Sequence, residues 1–106
     1  MITPDFIALI SYRTTEEGGR KSPACSNYMP FIEIPGLMPF TGGRQSFIDK
    51  EIVNPGESVK AVISVLSPEK FKGKLFVGQK INIFEVPGNI IGTGEILEIV
   101  NKDLEK

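Results

Sequence analysis

The chain has 106 residues, with 12 Lys and Arg against 13 Asp and Glu, a formal net charge of −1 and 41% apolar residues, the make-up of one globular domain and too short for two. Folding at this length removes roughly two thirds of the unfolded chain's surface from water, so a core forms without disulfides or metal. Histidine is absent, which removes the commonest general base, proton shuttle and metal ligand, and the lone Cys25 can neither close an internal disulfide nor build a thiolate metal cluster.

Gly and Pro recur between short apolar runs, which is the punctuation of many turns. Asp5 to Thr14, rich in Phe, Ile, Leu and Tyr, reads as a strand, and Thr15 to Asn27 as a long loop. Tyr28 to Ile34 is a second strand, with Pro30 marking its start or a sheet edge. The stretch Pro35 to Gln45 has two prolines and three glycines among apolar residues and reads as a structured loop. Ser46 to Val53 reads as a strand, and Asn54-Pro55-Gly56-Glu57 as a tight turn in which Gly supplies positive φ.

The clearest alternation is Ser58 to Leu66, where Val59, Ala61, Ile63 and Val65 share one face. Pro68 to Lys74 allows one helical turn, capped by Ser67, and no longer helix. Lys80 to Val86 alternates again before a Pro87-Gly88-Asn89 turn. Ile90 to Val100 is the last strand, with Gly92 and Gly94 marking a bend or a close backbone approach, and Asn101 to Lys106 is a charged, frayed tail. Six or seven short strands predict an all-β domain over 1–106, a closed antiparallel barrel of about six strands in preference to a sandwich, because closure satisfies the edge N–H and C=O groups.

Chemistry is sparse. The loop Glu16-Glu17-Gly18-Gly19-Arg20-Lys21-Ser22-Pro23 joins paired acids, glycines and paired bases; its glycines let N–H groups approach an anion and Arg20 offers two donors to a phosphate, although a solvated turn is the plainer reading of the bare pattern. No phosphate loop or dinucleotide fingerprint is present. Glu16 and Glu17 point to opposite faces with nothing apolar to raise a pKa, which makes them solvated rather than an acid/base pair. Lys70, Lys72 and Lys74 surround Phe71 and lie near Phe76, a set that suits a nucleic-acid backbone or, more plainly, a solvated loop pinned by a phenylalanine. Cys25 is a free, inert thiol, and the serines lack a histidine base. No catalytic constellation, cofactor, metal or small-molecule substrate is predicted. With no basic segment followed by a long apolar run and no membrane-spanning stretch, the expected setting is the cytoplasm, without a membrane anchor.

The ordered segment TTEEGGRKSPACSNYMPFIEI resembles the start of the C-terminal β-barrel domain of elongation factor Tu. The resemblance continues through Thr41-Gly42, Val53 to Glu57 and Ser67-Pro68. It resumes at Gly78, Ile83, Glu85, Gly88 and Ile91 to Gly94, so that it spans Asp5 to Val100. It implies a compact antiparallel barrel without catalytic activity, which in that family packs on the GTPase domain, helps hold the T-stem of aminoacyl-tRNA and offers a surface to the nucleotide-exchange factor. It also implies that Gly19, Arg20, Lys21 and Ser22 form the loop approaching the tRNA backbone, with Gly88 in the last turn. Three departures stand out: Pro87-Gly88 replaces a Gly-Gly, Ser67 replaces an often basic residue, and the loop from Pro68 to Gly78 is longer and adds Lys70, Lys72 and Lys74. The expected function is a non-catalytic binding module linked to translation. Its expected partner is a protein or an RNA: a translation-factor GTPase domain, an exchange factor or tRNA. The alternatives are a tRNA-binding protein using the Gly19 to Ser22 loop and a protein-interaction mimic of the translation factor.

Overall fold

A computed structural model describes residues 4–37 and 40–106. Among the described residues there are eight strands: β1 (Phe6–Tyr12), β2 (Ala24–Cys25), β3 (Phe31–Glu33), β4 (Thr41–Phe47), β5 (Ile52–Val53), β6 (Ser58–Val65), β7 (Lys80–Val86) and β8 (Asn89–Ile99). Six of them close an antiparallel barrel in the order β1-β6-β4-β3-β7-β8, with β8 returning to β1, and β2 pairs with β5 in a separate ribbon. The architecture is the closed six-strand barrel that the turn spacing implied, and the first and last barrel strands do seal each other, Phe6 opposite Ile99 and Tyr12 opposite Gly92.

Alternation explains the interior. Phe6, Ala8 and Ile10 of β1, Ala61 and Ile63 of β6, and Ile81 and Ile83 of β7 are buried at every second residue, and in β8 Ile96 and Ile99 are both buried because the strand gains one residue opposite Ile7/Ala8. The registers define two rims. The upper rim carries Tyr12, the 54–57 turn and the 87–88 turn; the lower rim carries Asp5, Val65, Ile99 and the loops that leave them. Both turns form as expected: Gly56 has φ +89° and Glu57 N–H donates to the Asn54 carbonyl at 3.0 Å, while Val86 pairs with Asn89 across Pro87-Gly88.

Three expectations are corrected. The stretch 35–45 is not all loop, because Thr41 to Gln45 lies in β4; Met38 and Pro39 fall outside the described residues. Its glycines serve packing rather than turning: a Cβ on Gly43 would stand 2.1 Å from Ile32 Cδ1, and one on Gly42 would stand 3.0 Å from Leu66 Cδ1. Conversely, 46–53 is not one strand. β4 stops at Phe47, Ile48 to Glu51 are exposed, and pairing resumes only in the short ribbon, where Ala24 and Val53 are buried under the upper rim.

The last six residues are not frayed. Lys102–Leu104 form a 3₁₀ turn, Leu104 is 2% exposed, and Lys74 and Leu75 donate backbone N–H groups to its carbonyl. Lys106 N–H donates in turn to the Leu75 carbonyl at 2.7 Å. The apolar side chains of Phe71, Leu75 and Leu104 are all buried in the core cluster, and burying a leucine this fully repays the ordering of a short charged segment.

The helical turn at Pro68–Phe71 forms, but Ser67 makes no side-chain cap bond. Gly94 provides the close approach expected of it, since a Cβ there would meet Ile10 Cδ1 at 2.8 Å and Ile81 Cγ1 at 2.9 Å. The register shifts lie elsewhere, at Ile7/Ala8 of β1 and on both sides of Phe84 in β7. Asp5 ties the lower rim together: its carboxylate accepts from Val65 N–H at 2.8 Å and from Asn101 Nδ2 at 3.0 Å.

Candidate binding surfaces

The upper-rim loop from Thr14 to Pro23 is built on itself before it offers anything outward. Gly18 and Gly19 N–H groups donate to the Thr15 and Thr14 carbonyls, and Thr15 Oγ1 donates to the Arg20 carbonyl at 2.7 Å. A side chain at Gly19 has no room, because a Cβ would lie 2.3 Å from the Arg13 carbonyl oxygen. Glu17 accepts from Thr14 N–H at 2.9 Å and from the Thr14 hydroxyl, and these bonds hold its carboxyl below its ordinary pKa. Glu16 and Glu17 are exposed.

Arg20 is turned inward. Its guanidinium lies 4.6 Å over the Tyr28 ring, Nη1 donates to Glu85 Oε2 at 2.5 Å, Nε donates to the Ser22 carbonyl, and Nη2 donates to Ser22 Oγ and the Pro23 carbonyl. Tyr28 Oη donates to the same Glu85 oxygen. Burial, then that carboxylate, pushes the Tyr28 pKa upward, and burial does the same for Tyr12, whose hydroxyl donates to Gln45 Oε1 at 2.7 Å. The irregularity in β7 explains how Glu85 gets there: it is the unpaired residue between the Phe84–Ile90 and Val86–Asn89 pairs, and a bulge re-aims the side chain it carries.

Of the residues singled out in sequence, Gly19, Arg20 and Ser22 are therefore brought together with Glu85, and the loop they form lies over the last hairpin, where a Cβ on Gly18 would be 3.7 Å from Asn89 Oδ1. Lys21 is exposed. Gly88 sits exposed in the adjoining turn with φ +89°. Cys25 is exposed. Glu85 and Tyr28 had no individual signal as partners of Arg20, being far from it in sequence.

A second surface lies on the barrel wall. Phe31 of β3 and Phe84 of β7 are register partners, stacked with centroids 5.6 Å apart, and Phe40 meets both edge-on at 5.4 and 5.2 Å. Phe31 and Phe40 are 38% and 36% exposed. Gly42, opposite Phe31, lies under Leu66 and Met29, both of them exposed. The wall therefore exposes Phe31, Phe40, Met29 and Leu66, while Phe84, 4% exposed, lies covered beneath the two phenylalanines. The signal for it is in the alternation: Ile32 and Ile83 face inward, so Phe31 and Phe84 must face out.

No protein-family model matches the chain. Over 101 residues it is 35% identical to chloroplastic elongation factor Tu of Coleochaete orbicularis. That match covers 90% of this chain and 23% of the relative, so the chain spans less than a quarter of the length of the curated relative it matches. The six-strand barrel and the elongation factor Tu relationship thus stand together. Among the described residues, no helix is long and apolar enough to cross a membrane.

Proposed function

We propose that the chain is a non-catalytic binding module, built like the C-terminal barrel domain of elongation factor Tu, that docks through its aromatic wall on a protein of the translation machinery in the cytoplasm. A translation-factor GTPase domain is the first candidate, and an exchange factor the second. The observation that carries this reading is the exposed surface of Phe31, Phe40, Met29 and Leu66, with Phe31 and Phe40 seated on buried Phe84, since an exposed apolar patch marks an interface and aromatic anchors dominate interface energies. The relationship to elongation factor Tu supports the choice of partner.

A second reading, tRNA binding at the upper rim, draws on exposed Lys21 beside the Gly88 turn. Arg20 weighs against it, because its donors are already used within the loop and on Glu85. Calorimetric titration with a purified elongation factor Tu GTPase domain, parallel to a tRNA mobility shift, separates the two. The first reading expects saturable protein binding that Phe31→Asp weakens at least about tenfold while Lys21→Glu leaves it unchanged. Absence of protein binding at physiological salt, together with a tRNA shift that Lys21→Glu abolishes, replaces it with the second.

A further inference from the structure

The lower rim, at the opposite end of the barrel from Arg20, carries a cleft of about 310 Å³ floored by Phe76, Gln79 and Leu37 and flanked by Lys74 and Lys106. Two segments distant in sequence build it. Leu75 and Glu105 form an isolated parallel bridge, and the Lys106 N–H bond to the Leu75 carbonyl sets Lys106 beside residues 74–76. Phe76 is 45% exposed, and Lys106 Nζ lies 5.7 Å from its ring centroid. Lys70 and Lys72 are exposed on the same loop, which holds Glu69 as its single acid between Leu66 and Gln79. Glu105 is engaged with Lys102, and none of Lys70, Lys72, Lys74 and Lys106 has an ion-pair partner among the described residues.

An open aromatic face between uncompensated cations has a specific chemical complement. Lys106 Nζ sits over the Phe76 ring, and a base that stacks there displaces the ammonium toward a flanking phosphate, so the two groups of one nucleotide are satisfied side by side. A small apolar ligand would leave the lysines unused, and an acidic peptide would leave the ring face unused. The geometry points to a binding site for single-stranded nucleic acid at the lower rim, in which a base stacks on Phe76 and Lys74 and Lys106 hold the flanking phosphates. The site is separate from the aromatic wall and from the upper-rim loop, and it uses the loop in which this chain is longer than the family it resembles.

Fluorescence anisotropy with an unstructured 12-nucleotide RNA, run over a salt series on the full chain, tests this. Phe76→Ala is expected to weaken binding at least about fivefold. The double change Lys74→Gln with Lys106→Gln is expected to reduce the slope of log affinity against log salt by about 1.4, as two single-strand phosphate contacts require. Lys60→Gln, an exposed position on β6 away from the cleft, serves as the control and leaves both quantities unchanged. Circular dichroism and melting of each variant establish that the barrel persists; the Lys74/Lys106 change keeps every backbone bond of the rim and so still reads the site if Phe76→Ala misfolds. No RNA binding at low salt, an unchanged slope in the double variant, or a mononucleotide binding as tightly as the 12-mer overturns the proposal.

Discussion

Arg20 and Tyr28 end on the same atom: the guanidinium lies 4.6 Å over the phenol ring, and both side chains donate to Glu85 Oε2. One carboxylate thereby fastens the upper-rim loop and the segment preceding β3 to the end of β7. Glu85→Gln keeps the shape but removes the charge that assists both bonds. Because Glu85 is 40% exposed, solvent screens the pair, and the expected loss is about 1 kcal/mol in urea unfolding. Amide hydrogen exchange should accelerate in residues 14–22 more than in β6.

Tyr12 and Tyr28 are the two tyrosines of the chain, and there is no tryptophan, so tyrosinate absorbance reads them cleanly. Burial raises both pKa values above the ordinary 10.0. The folded state therefore holds protons that the unfolded state releases, so this contribution to stability is complete below about pH 10 and declines as pH rises beyond it. Spectrophotometric titration should show almost no tyrosinate at about pH 11 while the fold persists, and ionisation should coincide with alkaline unfolding. Independent ionisation of both rings near pH 10 in folded protein contradicts the burial described.

Glu17 provides the opposite sign. Its carboxyl is held below 4.5 by Thr14 N–H, then by the Thr14 hydroxyl, so its contribution is present above that pH and disappears as pH falls through the lowered value. Glu17→Gln should melt below the parent at neutral pH, and the gap should close as acid protonates the parent's carboxyl.

The lower-rim plug and the β4 glycine are tested by volume. Leu104→Ala should cost about 2–5 kcal/mol, a loss that a frayed terminus would not produce. Gly43→Ala should cost about 1–3 kcal/mol because the added methyl meets the buried Ile32 side chain. Chemical denaturation of the two variants measures both.

Legibility in the sequence followed the range of the interaction. Ser58 to Leu66 and Lys80 to Val86 declared themselves because alternation is local, and 54–57 because Pro and Gly dictate its dihedrals. β4 was hidden, since Gly42 and Gly43 punctuate like a turn until Ile32 and Leu66 are seen filling the space above them. Leu104 reads as one apolar residue among charges, and only the Leu75 segment reveals what it covers. The Gly19 to Ser22 loop was recognisable, but the destination of Arg20 was not: its partner acid lies on a distant strand and reaches the rim through a bulge. The aromatic wall was implicit in strand parity, yet its continuity depends on β3 standing between β4 and β7.

The central claim is that the aromatic wall, and not the Arg20 loop, engages a translation-factor protein. The direct measurement is an NMR titration of the labelled chain with a purified elongation factor Tu GTPase domain, following backbone amides. The account expects saturable shifts centred on Phe31, Phe40, Gly42, Leu66 and Phe84, with residues 14–22 nearly unmoved. Shifts confined to residues 14–22 and 87–89, or no shifts at saturating partner, contradict it.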